Sequence, residues 1–139
     1  MPAPIPDVSP SQAWEQLKSN PDARLVDVRT QPEWTYVGVP DLTETSKQIV
    51  LLSWQVYPTN ARNEAFAQQL AAQGVKPETP LYLLCRSGVR SKAAGEFLTE
   101  QGYSQCFNIQ DGFEGPADDK RHRGAKAGWK ASGLPWIQG

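Results

Sequence analysis

Cysteine is nearly absent from this chain. Its 139 residues include only Cys85 and Cys106, with one histidine (His122) and one methionine. Two thiols are too few for a disulfide framework, and free thiols suit a reducing compartment. Their spacing forms no zinc pattern, and a single histidine excludes a His-rich metal site. No apolar run approaches the ~18 residues of a membrane span. The N-terminal stretch MPAPIPDVSPSQAW lacks a basic segment followed by an apolar one, so it does not read as a secretory signal. The expectation is a soluble, cytoplasmic protein with no membrane partner. A large excess of one charge is missing too. The formal net charge is −1, which gives no global basic signature for nucleic acid.

What charge there is lies unevenly. Residues 1–84 carry 6 Lys+Arg against 9 Asp+Glu, and residues 85–130 carry 8 against 6. The positive excess begins at Cys85 and would attract small anions. The length fits one domain with a real core, spanning 1–139, with residues 1–7 as an N-terminal tail. Ser9-Pro10-Ser11-Gln12 opens a helix: Ser9 caps, Pro10 takes the first position and Gln12 completes a capping box. Leu25-Val26-Asp27-Val28 reads as a strand, Gln31 to Tyr36 as a helical turn, and Ile49 to Leu52 as a strand buried on both faces. A helix is predicted over Asn60 to Gln73, ended by Gly74. Leu81 to Leu84 is the next strand. Val89, Ala93, Ala94, Phe97 and Leu98 recur at helical spacing up to Gly102, and Cys106 to Ile109 is a further strand. The alternation predicts an α/β domain with a mainly parallel sheet. Ligands of such sheets bind beyond the carboxyl ends of the strands, where Cys85 lies.

Leu84-Cys85-Arg86-Ser87-Gly88-Val89-Arg90-Ser91-Lys92 carries the chemistry. A strand-to-helix turn aims successive backbone N–H groups at one point, forming an anion cradle. The helix N-terminus adds partial positive charge. Gly88 lets the backbone close tightly, and Arg86 and Arg90 add permanent positive charge. Each feature favours thiolate over thiol at Cys85, so Cys85 is the candidate nucleophile. Arg86, Ser87, Gly88, Val89 and Arg90 are the candidate anion-binding residues. Asp27 and Arg29 read as scaffold, since a buried carboxylate needs a partner. Cys106, in an apolar strand, reads as a structural thiol.

The stretch Cys85 to Ser91 resembles the active-site loop of single-domain rhodanese-like sulfurtransferases. Val26-Asp27-Val28-Arg29 followed by Glu33-Trp34 resembles that family's early Asp-x-Arg…Glu-aromatic motif. Asn108-Ile109, Gly112, Trp129 and Gly133-Leu134-Pro135 resemble its closing segment. The resemblance implies a five-stranded, mainly parallel sheet flanked by helices, with Asp27, Arg29 and Glu33 as structural support. It implies a ping-pong reaction in which Cys85 takes the outer sulfur of a small sulfur-containing anion, such as thiosulfate, as a persulfide. A thiol, a protein or cyanide would then accept that sulfur. Backbone N–H groups of residues 86–90 would hold the persulfide, Arg90 would reinforce the cradle, and Arg86 would orient the donor at the mouth. No metal or organic cofactor is implied.

Two departures stand out. Where the family usually continues Gly-His-Ile-Pro-Gly-Ala, this chain has Val37-Gly38-Val39-Pro40-Asp41-Leu42, with glycine in place of histidine. A charged insert over 113–128, containing Asp118-Asp119-Lys120-Arg121-His122-Arg123, lengthens the segment between Gly112 and Trp129. The main rival reading is a protein tyrosine or dual-specificity phosphatase, which also closes a cysteine loop with arginine. Its Cys-x5-Arg spacing is one residue longer than the Cys85–Arg90 interval. A non-catalytic binding module on the same fold is the third reading.

Overall fold

The computed structural model describes residues 5–45, 47–56, 59, 61–86, 88–115 and 127–137. Among the described residues, nine short strands and four α-helices follow in chain order. The strands are β1 (Asp7–Val8), β2 (Arg24–Asp27), β3 (Val39–Pro40), β4 (Val50–Leu51), β5 (Gln55–Val56), β6 (Ala61–Arg62), β7 (Leu81–Leu84), β8 (Cys106–Ile109) and β9 (Trp136–Ile137). The helices are α1 (Pro10–Ser19), α2 (Gln31–Tyr36), α3 (Phe66–Ala72) and α4 (Val89–Glu100). Five strands form one sheet in the order β1-β8-β7-β2-β4, and every pairing in it is parallel. Two antiparallel pairs, β3–β9 and β5–β6, lie outside it.

Side chains alternate across the sheet, as a strand period of two requires. Val26, Leu81 and Leu83 join one core layer with Phe66, Leu70 and Leu98. Leu25, Tyr82 and Leu84 join the other with Trp14, Leu17, Phe113 and Trp129. α1 begins as its sequence indicates. Ser9 Oγ accepts from the Gln12 amide, and Gln12 Oε1 accepts from the Ser9 amide. Each apolar side chain fully buried in these layers contributes roughly 1.5–3 kcal/mol, so the two faces of the central strands hold the sheet.

Four expectations are corrected. The tail expected over residues 1–7 is structured from Ile5: Ile5 is buried and Asp7 pairs with Asn108 at the sheet edge. The strand around Ile49–Leu52 lies at the opposite edge, so Leu51 is exposed while Val50 is buried. The helix expected from Asn60 starts only at Phe66. Ahead of it, Arg62 pairs with Gln55 in a hairpin, and the Asn63 side chain accepts from the Ala65 amide in an Asx turn that delays the first helical residue. On α4, Val89 is 75% exposed, and the buried face runs through Ser91, Ala94, Gly95 and Leu98. Gly95 sits there because a Cβ would come within 2.3 Å of Ile5 and 2.8 Å of Leu83. Of the insert expected over 113–128, residues 116–126 lie outside the described residues. Its two ends are packed, with Phe113 and Gly128 both buried.

Candidate active site

Parallel pairing brings the carboxyl ends of β2, β7 and β8 to one edge of the sheet. The Val28 amide donates to the Leu84 carbonyl at 2.8 Å, which places the Asp27–Arg29 segment beside Cys85. Beyond β8 the chain turns through Asp111 and Gly112, and the Phe113 amide donates to the Cys85 carbonyl at 2.8 Å. Glu114 and Gly115 amides both donate to the Arg86 carbonyl. Gly112 has φ +62°, and a Cβ there would lie 2.3 Å from the Cys85 oxygen. Only glycine permits that approach, so the closing segment seals one side of the cysteine loop.

Cys85 itself is 1% exposed. The Gly88 amide donates to its Sγ at 3.1 Å, and Gly88, at φ +104°, caps the N-terminus of α4. Ser87 lies outside the described residues. Ser91, one residue beyond the expected cradle, puts its Oγ 3.3 Å from Cys85 Sγ and 2.5 Å from Asn108 Oδ1. Asn108 Nδ2 donates to Asp7 Oδ1 at 3.0 Å and to the Gly88 carbonyl at 3.2 Å. Neither Ser91 nor Asn108 was assigned a role from sequence. The available signal was a polar residue at the centre of an apolar strand, which must find a buried partner.

The two arginines stand in different surroundings. Arg86 is exposed. Arg90 is paired with Glu33: its Nη1 donates to Oε1 at 2.7 Å and its Nη2 to Oε2 at 2.9 Å. Both terminal nitrogens are thus engaged by a carboxylate, so Arg90 anchors the loop to α2 and is not a free arm over the cradle. Glu33 also caps α2, accepting from the Thr30 amide and hydroxyl. Burial by itself would raise the Glu33 carboxyl. The Arg90 hydrogen bonds and charge, with the Thr30 donors, outweigh that and hold it below its ordinary value. The same pairing, against burial, lifts Arg90 above its ordinary value.

Asp27 and Arg29 are fully buried. Arg29 donates to both Asp27 oxygens at 2.7–3.1 Å and to the Gly38 carbonyl at 2.7 Å. Its guanidinium lies 4.4 Å from the centre of the Phe113 ring, where cation and ring face attract. Gly38 explains the missing histidine. It has φ +109°, and a Cβ would sit 2.6 Å from the Ile137 carbonyl, so the β3–β9 pair excludes any side chain there.

Cys106 pairs with Leu81 across the sheet. That places it three residues back from Leu84, roughly 13 Å along the strand from Cys85 at ~3.3 Å per residue. Burial pushes its thiol up to about 11, against a small opposing effect from Thr99. It is too far to resolve a Cys85 persulfide and is protonated at neutral pH. Among the described residues no group of three or more His, Cys, Asp or Glu could hold a metal ion, and no helix is long and apolar enough to cross a membrane.

A family model described as the STR4 middle domain matches residues 7–139. An uncharacterized protein of Rickettsia conorii is 41% identical over 133 residues, covering 95% of this chain and 97% of that protein. The thiosulfate sulfurtransferase GlpE of Actinobacillus pleuropneumoniae is 28% identical over 129 residues, covering 93% of this chain and 90% of that protein. Among solved structures, Rv0390 from M. tuberculosis superposes with a TM-score of 0.88 at 45% identity, covering 99% of this chain and all of that one. The polysulfide-sulfur transferase homodimer from Wolinella succinogenes does so at 0.66 and 25% identity, covering 97% of this chain and 80% of that one. With the five-stranded parallel sheet, the cysteine loop at its carboxyl edge and the ordered motifs from Asp27 to Pro135, these relatives establish that the chain belongs to the rhodanese-like family, of sulfurtransferase type.

Proposed function

We propose that the protein transfers a sulfane sulfur from a small anionic donor, such as thiosulfate, to a thiol or cyanide acceptor through a persulfide on Cys85. The observation that carries this reading is the Cys85 sulfur seated under the Gly88 amide at the N-terminus of α4. A donor amide and the helix dipole at one sulfur stabilise negative charge there. The Cys85 thiolate attacks the outer sulfur of thiosulfate. A new sulfur–sulfur bond forms, the donor's own breaks, and sulfite leaves with the electron pair. The acceptor then attacks the outer sulfur of the persulfide, and Cys85 departs as thiolate. Electrons balance within each step, so no metal or redox partner is needed. The exposed Arg86 steers and orients the anion, while Arg90, held by Glu33, fixes the loop.

Phosphate chemistry fits less well. A phosphate-closing arginine commonly clamps its substrate with a pair of parallel N–H bonds, and one such pair on Arg90 is already given to Glu33. One observation favours the binding-module reading instead: a thiol 1% exposed suits a domain that only docks a partner. Catalysis separates the two. In a thiosulfate and cyanide assay, the wild-type protein is expected to form thiocyanate and Cys85→Ser to form none. Equal thiocyanate from both would end the proposal, and none from either would leave the binding module.

A further inference from the structure

Large apolar side chains at the surface are not spread evenly. Single exposed ones are ordinary, and Leu51, at the β4 edge, is one. The other four exposed among the described residues are Tyr36, Val89, Trp136 and Ile137. All four sit on segments that hold the cysteine loop. Val89 directly follows Gly88, whose amide binds the Cys85 sulfur. The next residue, Arg90, is bonded to Glu33, and Tyr36, three residues on in α2, shares a helix face with Glu33. Gly38 then lies against the Trp136 ring, which a Cβ there would approach to 3.0 Å. Trp136 meets the Phe113 ring edge to face at 6.1 Å, and the Phe113 amide is bonded to the Cys85 carbonyl. This chain of contacts starts and ends on the cysteine loop.

Cations stand along it. Arg86 is exposed, and Lys130 Nζ lies 4.0 Å from the centre of the Trp136 ring. Among the described residues neither is in an ion pair, and Glu114 attracts Lys130 only from beyond that distance. Glu33, by contrast, is already neutralised by Arg90. Tryptophan, tyrosine and arginine carry most of the binding energy where proteins meet, and an apolar patch with a polar rim marks an interaction site. Cys85 itself is 1% exposed, so an acceptor thiol meets its sulfur only by seating on this rim.

From this arrangement we infer that Tyr36, Val89, Trp136 and Ile137, with Arg86 and Lys130, form the docking surface for a protein sulfur acceptor whose cysteine is flanked by apolar side chains and carboxylates. The apolar flanks cover the exposed rings, and the carboxylates meet the two unpaired cations. The docked thiolate then attacks the outer sulfur of the Cys85 persulfide. Its own sulfur–sulfur bond forms as that to Cys85 breaks, and Cys85 leaves with the electron pair. What the docked thiol receives rests on the sulfur-transfer reading proposed above. The binding itself needs no turnover.

The probe is a five-residue peptide with cysteine between leucine and phenylalanine and a glutamate at each end. Binding is read first, with serine in place of the peptide's cysteine, from backbone amide shifts of the full chain in nuclear magnetic resonance. The shifts should centre on Tyr36, Ile137 and their neighbours. Affinity should fall about tenfold in Tyr36→Ala and in Trp136→Ala, the loss that truncating a central interface aromatic gives. A peptide with glycines for its leucine and phenylalanine, or lysines for its glutamates, should bind at least as weakly. With the cysteine peptide as acceptor from the thiosulfate-loaded protein, both variants should lower kcat/KM about tenfold and leave that for cyanide unchanged. The cyanide rate also shows that each variant is folded and loaded. A peptide that binds elsewhere or not at all overturns the inference, as does equal affinity of the glycine or lysine peptide. Equal peptide transfer by wild type and both variants overturns it too. So does a dimer in sedimentation velocity that Tyr36→Ala dissociates, because a second copy then occupies the patch. A wild-type protein that transfers no sulfur to cyanide overturns the chemical reading instead, and the binding result still decides the docking surface.

Discussion

Cys85, just beyond β7, and Cys106, on the neighbouring β8, are buried in the same apolar layer but differ in their polar partners. Cys85 faces an amide, a hydroxyl and an arginine, whereas Cys106 faces apolar core and is pushed up to about 11. Cys85→Ser should abolish sulfur transfer while circular dichroism and the unfolding midpoint stay close to wild type, because a hydroxyl cannot form a persulfide. Cys106→Ser should retain most activity. A dead Cys106 variant beside an active Cys85 variant would reverse the assignment. Arg86 acts on capture of the donor, so Arg86→Ala should raise the KM for thiosulfate more than it lowers kcat, and the difference should shrink as salt screens the charge. Unchanged KM at low salt removes that role. At this scale the sequence carried the thiol and the exposed arginine, whose chemistry follows from local spacing. The Glu33 partner of Arg90 was not legible, because it is 57 residues away. The partnership of Ser91 and Asn108 was hidden for the same reason.

Between elements, two carboxylate–arginine pairs hold the site's walls. The Glu33–Arg90 pair ties α2 to α4 and is partly buried, with side chains 19% and 23% exposed. Glu33→Gln should cost about 1–3 kcal/mol at neutral pH, the range of a charge-assisted hydrogen bond. The folded carboxyl is held below its ordinary 4.5. Its contribution is therefore fully present above that value and is lost as pH falls through the lower, folded one. Urea unfolding of wild type and Glu33→Gln should differ most at neutral pH and converge in acid. A gap that widens in acid contradicts the pairing. The Asp27–Arg29 pair is wholly buried, so Asp27→Ala leaves an uncompensated charge and should cost about 3–5 kcal/mol. α1, α2, β7, α4 and β8 were legible from capping and periodicity, which are local. The β5–β6 hairpin was not, since pairing Gln55 with Arg62 in a polar stretch leaves no apolar pattern. The face of α4 was read half a turn out at its start because Ser91 and Gly95, a polar and a small residue, are what it buries.

Across the molecule, a parallel sheet sends three strand ends to one edge, and that topology makes the site. It was readable from the alternation of strands and helices, as was the place of Cys85 at a strand end. The β3–β9 pair that displaces a histidine at Gly38 was not, because it joins residues almost a hundred apart. Gly112 is where the whole arrangement meets. Gly112→Ala should destabilise the domain by about 1–3 kcal/mol through its positive φ and its clash with the Cys85 carbonyl, and should lower sulfur transfer further than the stability loss explains. The central claim, a sulfur carried on Cys85, is read most directly by intact mass spectrometry of the protein after incubation with thiosulfate, before and after cyanide. The wild-type mass should rise by one sulfur atom and return to its starting value on cyanide, with Cys85→Ser unchanged throughout. An unmodified wild-type protein, or an added sulfur that persists in Cys85→Ser, would contradict the account.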